Sequence, residues 1–134
     1  MYATVVTYML IALVLPWGRV LFGSLIGPLV GVVALWMARE RQPSTLLTTA
    51  AGVCGGTWLW NAMLNIRHAN VIDGDIPFAL FPISWQDTGT GVFAFAFAAA
   101  ALLATVHRHE PGYRTLKIAG VAAAAALVMD IYTW

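Results

Sequence analysis

The chain has 134 residues, of which 60% are hydrophobic and only 10% charged, with a formal net charge of +1. Soluble domains carry about 25% charge, and a domain this small buries too little surface to hide so much apolar side chain, so lipid is the solvent the composition favours. The near-neutral balance excludes the basic field that recruits nucleic acid, and the single cysteine, Cys54, excludes an internal disulfide or a cysteine-pair redox centre.

The first apolar run covers residues 2–17 and stops at Pro16-Trp17-Gly18, a turn signal. At about 1.5 Å per residue it is short for a crossing of about 30 Å, and it reads as a short span in preference to a half-inserted hairpin arm. No basic residue precedes it and no small-residue cleavage site follows it, so no signal peptide is expected. The second run, 20–38, has the length of a span. It sets Gly23, Gly27 and Gly31 on one helix face, where a second helix can approach closely, with Pro28 between them predicting a kink. Arg39-Glu40-Arg41 ends it at a membrane surface.

Ser44 is the predicted N-cap of a third helix over 45–66, in which Gly52 and Gly56 form another small-residue seam. Thr57, Asn61, Asn65 and His68 follow at spacings of four, four and three, so one face of this helix grows steadily more polar toward its end. Residues 67–87 lie outside the helices. Asp73-Gly74-Asp75 is a turn, and residues 76–85 form a short apolar segment with Pro77 and Pro82. That segment is expected at the membrane interface, anchored by Phe78, Phe81 and Trp85. The fourth run, 88–106, alternates Phe93, Phe95 and Phe97 with alanine like a strand, but an isolated strand cannot sit in lipid and its length favours a helix. After His107-Arg108-His109-Glu110-Pro111-Gly112, the fifth run, 116–134, is alanine-rich, with Gly120 and Ala124 at small-residue spacing and Asp130 near its end.

The expected fold is therefore all-α: one transmembrane domain over 1–134, an integral membrane bundle of four to five transmembrane helices with a short interfacial segment between the third and fourth runs. Arg39, Arg41, Arg108, Arg114 and Lys117 collect on one side. The positive-inside rule then puts residues 39–44 and 107–117 in the cytoplasm and 67–87 with the C-terminus outside, in the plasma membrane.

Polar groups in lipid usually face protein or water, so Thr57, Asn61, Asn65, Arg67, His68 and Asp130 are the candidate ligand or partner contacts. An interhelical hydrogen-bond network is the plainer account of the same residues. The helix-packing candidates are Gly23, Gly27, Gly31, Gly52, Gly56 and Gly120. His107 and His109 read as a basic helix end, on the other side of the membrane from His68, so no three-histidine site forms within the chain. No metal or cofactor is predicted, though a haem or metal shared with another subunit stays open. Asp73, Asp75 and Asp87 offer a weak cation site, and Ser84 has nothing to orient it as a nucleophile. No catalytic residues are assigned and no catalytic activity is expected of this chain alone. The surplus of small-residue seams points to lipid and other transmembrane subunits as partners, in a hetero-complex rather than a homo-oligomer, with the chain an accessory or structural subunit. The alternatives are a small oligomeric transporter or channel with a polar path at Asn61, Asn65 and Asp130, and a cofactor-binding subunit of a membrane enzyme.

Overall fold

The computed structural model describes residues 16–67 and 83–133. These form four helices: α1 (Trp17–Met37), α2 (Pro43–Ile66), α3 (Trp85–Ala104) and α4 (Gly112–Thr133). No strand occurs among the described residues. The expected helix over 2–17 as far as residue 15, the loop anchors Phe78 and Phe81, the turn at Asp73 and Asp75, and His68 lie outside them, while Trp17 and Gly18, expected in a turn, open α1 behind the N-cap Pro16.

Three of the four helices, Trp17–Met37, Trp85–Ala104 and Gly112–Tyr132, are long and apolar enough to cross a membrane, with mean hydropathies of 2.1, 1.5 and 1.5. They suggest a membrane-embedded chain. Among the described residues these three do not confirm a count of four to five, because α2 is 24 residues long but diluted by threonine, asparagine and glycine.

Neighbours in the chain are neighbours in space, and α4 closes the ring against α1. The pairings run antiparallel. Gly27 faces Ala126 and Gly31 faces Ala122, while Gly52 faces Ala98 and Gly56 faces Phe93. A Cβ on Gly52 would stand 2.6 Å from the Ala98 Cα, so these glycines let α2 and α3 meet backbone to backbone. On α1 the fit is looser: a Cβ on Gly27 would make ordinary 3.4 Å contact with the Ala126 Cβ. Gly120 has nothing within 4 Å of that position, so it makes no close approach to another helix among the described residues. The middle of the bundle is filled by Val53, Ala94, Ala98, Leu102, Ala119 and Ala122. Small side chains at this layer allow the close helix approach on which van der Waals packing in lipid depends.

Several helix ends differ from the sequence reading for identifiable reasons. The N-cap of α2 is Gln42, and Pro43 takes the first helical position, where its preset φ and missing N–H suit the first turn. Ser44 is therefore inside the helix. In α3 the start moves back from 88 to Trp85, because Ser84 and Asp87 form a reciprocal capping box. Asp87 N–H donates to Ser84 Oγ at 3.2 Å, and Ser84 N–H donates to Asp87 Oδ2 at 2.7 Å. Trp85 thus opens a helix instead of anchoring a loop, and both Ser84 and Asp87 have a structural role in its cap. α1 runs through Pro28 and stops with Arg39 in the left-handed region at φ 69°.

Polar and apolar residues are distributed inside out. Thr45, Thr49, Thr57, Asn61, Asn65, Gln86, Thr90, His107, Thr115 and Asp130 are buried. Leu25, Leu29, Val33, Leu47, Val92 and Leu116 are exposed, Leu47 by 72%. Water-soluble domains bury the second kind and expose the first.

Candidate functional site

Two polar clusters cap the alanine-filled middle. The first sits where α2 ends and α3 begins. Thr57, Asn61 and Asn65 are spaced by four residues, so they share one face of α2, and all three are buried against the other helices. Asn61 is the hub. Its Nδ2 donates to the Thr57 carbonyl at 2.9 Å and to Thr90 Oγ1 at 3.3 Å. Its Oδ1 accepts from Gln86 Nε2 at 3.1 Å. Thr90 Oγ1 and Trp60 Nε1 both donate to the Gln86 carbonyl, at 3.2 and 2.9 Å. Gln86 Oε1 is buried with no hydrogen-bond partner among the described residues.

The Trp60 ring explains Gly89: a Cβ there would fall inside the indole. Trp85 meets Trp60 edge to face with centroids 5.3 Å apart, and Phe93 lies 4.9 Å from it on the other side. Phe93 and Phe97, one turn apart, stack along α3, so the strand-like alternation of phenylalanines resolves into a helical stripe.

Behind Asn61 all four helices contribute to a cavity of about 10 Å³, lined by Gly23 and Gly27 of α1, Thr57 and Asn61 of α2, Thr90 of α3, and Met129 and Asp130 of α4. That is about the space one water needs. The structure thus brings Thr57, Asn61 and Asp130 together and places Asn65 one turn further along the same face. Arg67 does not join them at the cavity. It is the exposed C-cap residue of α2. Gln86 lies within the 67–87 stretch that the sequence reads as a loop, and Thr90 lies inside the fourth run, where a lone threonine carries no signal of its partner. The signal that finds them is the Ser84-Trp85-Gln86-Asp87 capping box, which starts the helix early enough to put positions 86 and 90 on one face.

The second cluster closes the opposite end. His107, read from sequence as part of a basic helix end, follows α3 and is only 1% exposed. Its ring bridges two helices: Nε2 lies 3.3 Å from Thr45 Oγ1 of α2, and Nδ1 lies 3.0 Å from Thr115 Oγ1 of α4. Thr45 Oγ1 also donates onward to Gln42 Oε1 at 3.2 Å, so the histidine ties the two threonines into one chain of polar contacts. Both ring nitrogens lie within hydrogen-bond distance of a threonine hydroxyl. His109, two residues on, is exposed. Among the described residues no group of three or more His, Cys, Asp or Glu side chains is placed to hold a metal ion.

The comparisons give no functional precedent: no protein-family model, curated protein or solved structure matches this chain.

Proposed function

We propose that this chain is a non-catalytic accessory or structural subunit of a larger membrane complex, with α2 spanning the bilayer alongside the three more apolar helices. The inside-out distribution carries this reading. The polar side chains of α2 point into the bundle, so its average hydropathy understates how apolar its outer face is: Leu47, Trp58, Leu59, Met63 and Ile66 are all outside. Inside, Asn61, Gln86 and Thr90 bond to one another, and the cavity beside them holds about one water. What remains to act on the surroundings is the outer surface. Five of the seven cationic residues sit at the His107 end, which favours placing that end in the cytoplasm of a plasma-membrane protein and the α2–α3 connection outside.

The test is stoichiometric co-purification. Extraction of the tagged full chain in mild detergent, followed by native mass spectrometry, is expected to give a defined hetero-assembly. Gly120→Leu is the accompanying variant, since position 120 meets open space among the described residues and a larger side chain there would clash with none of them. A chain that migrates alone in every mild detergent and in lipid nanodiscs would end the proposal.

A second reading, a small oligomeric transporter with a path along Asn61, Asn65 and Asp130, is favoured by one observation: a carboxylate, an amide and two hydroxyl residues of the four-helix core converge on a single small cavity. Liposome flux that disappears in Asn61→Leu at unchanged protein level would support it, and wild-type liposomes that pass no ion or proton would dismiss it.

A further inference from the structure

At the end of the bundle opposite Asn61, a cleft of about 140 Å³ opens between the link after α1 and the first turns of α4. Leu35, Ala38 and Ile118 form its apolar wall, and Glu40, Arg114 and Lys117 its polar rim. Arg114 is fixed in place by two carboxylates, Nη1 to Glu110 at 3.0 Å and Nη2 to Glu40 at 3.4 Å. Glu40 is itself engaged, since its other oxygen accepts from Gln42 N–H at 3.0 Å. Arg114 has five N–H donors, so the two ion pairs leave it donors to spare. Lys117 is exposed and has no ion pair among the described residues. Arg39, Arg41 and Arg108 add positive charge at the same end, where the carboxylates are Glu40 and Glu110.

We propose that this cleft binds a phosphate-bearing anion, with Lys117 as the free countercharge, Arg114 as the pre-positioned donor, and the Leu35/Ile118 wall against the carbons attached to the phosphate. A held guanidinium loses little further side-chain freedom on binding, and its planar fork suits phosphate oxygens. A basic pocket between helices at a membrane surface is the chemistry that selects anionic headgroups from neutral ones. The same chemistry would accept a soluble phosphate. The proposal does not depend on whether the chain serves a larger assembly.

The full chain, purified in detergent, should retain phosphatidylglycerol in preference to phosphatidylcholine by native mass spectrometry. Lys117→Gln should weaken phosphatidylglycerol retention about fivefold, the effect of one cation near an anionic lipid. Its melting temperature should not change, because Lys117 makes no ion pair or side-chain hydrogen bond among the described residues. Arg108→Gln, exposed at the same end but not lining the cleft, should leave retention within about twofold. Competition with millimolar inorganic phosphate identifies the source: displacement of the lipid in wild type supports a soluble phosphate as ligand, and persistence of the lipid supports the headgroup. Undiminished retention in Lys117→Gln overturns the proposal, and so does an equal loss in Arg108→Gln, which would mean a diffuse basic surface with no site.

Discussion

The two ends of the bundle are both closed by buried polar side chains, yet they are built differently. At the Asn61 end the polar groups come from helix interiors, and their spacing by four residues on α2 and again on α3 aligns two stripes that meet. At the His107 end a residue outside any helix reaches between threonines of α2 and α4. The first arrangement uses side-chain amides, which have no equivalent partner if the hub is removed. The second uses threonine hydroxyls: Thr45 Oγ1 has Gln42 Oε1 as a second partner at 3.2 Å, and Thr115 can turn to the Pro111 carbonyl four residues back, the kind of bond Thr49 makes to the Thr45 carbonyl. The Asn61 end should therefore be brittle and the His107 end forgiving.

The largest effect should come from uncoupling both ends at once. Gly52 lies between them, against the backbone of Ala98. Gly52→Leu has no flexible neighbour to displace, so α2 and α3 must separate along their length. A loss of about 3 kcal/mol, the upper part of the overpacking range, is expected from denaturant titration in detergent. A change below about 1 kcal/mol would show that the close approach of α2 and α3 is not what holds the two clusters together.

The comparison itself is broken or sharpened by Asn61→Leu against His107→Phe, near-isosteric replacements at the two hubs. Asn61→Leu removes two interhelical bonds and leaves the Gln86 side chain without its only described partner. At about 0.6–2 kcal/mol for each interhelical bond in a membrane bundle, a loss of about 2 kcal/mol is expected. His107→Phe also removes two contacts, but its threonines have alternatives, so about 1 kcal/mol is expected. If the phenylalanine variant proved the less stable of the two, the distinction between a brittle and a forgiving end would be wrong.

The same difference explains what the sequence could disclose. The helices are legible as apolar runs, and the Thr57/Asn61/Asn65 face is legible because helical spacing is enough to align it. Asp130 is legible as a carboxylate in an apolar helix. His107 is not, because its burial depends on the backbone at Thr105, where φ −123° and ψ −92° end α3 and turn the chain inward. No periodicity encodes that turn. Gln86 was lost for a different reason. The capping box is there as Ser84 and Asp87, but Pro77, Pro82 and the aromatic residues before it give a stronger loop signal at the same boundary. Gly120 shows the limit of motif reading: its spacing matches that of Gly52 and Gly56, yet among the described residues only the latter two of these three meet another backbone.

The smallest expected effect is a gain, at the link that joins the His107 end to α1. Arg39 holds the left-handed position that closes a Schellman turn: Glu40 N–H donates to the Leu35 carbonyl at 3.0 Å and Arg39 N–H to the Trp36 carbonyl at 3.1 Å. A non-glycine residue there is strained by about 1 kcal/mol, because its Cβ crowds the following carbonyl. Arg39→Gly relieves the strain, but it also adds backbone freedom to the unfolded chain and removes a cation from a helix C-terminus, where it is worth a few tenths of a kcal/mol. The neighbouring Arg41 limits that second loss, since its Nη1 already donates to the Trp36 carbonyl at 2.6 Å and its guanidinium lies 3.8 Å over the Trp36 ring. A net stabilisation of about 0.5 kcal/mol should remain, visible as a small rise in thermal midpoint in detergent. A fall would mean that the Arg39 side chain contributes more than its backbone strain removes. Because the link leads directly to Gln42 and Thr45, the gain should shrink in an Arg39→Gly/His107→Phe double variant if the turn and the histidine support one another, and add in full if the two sites are independent.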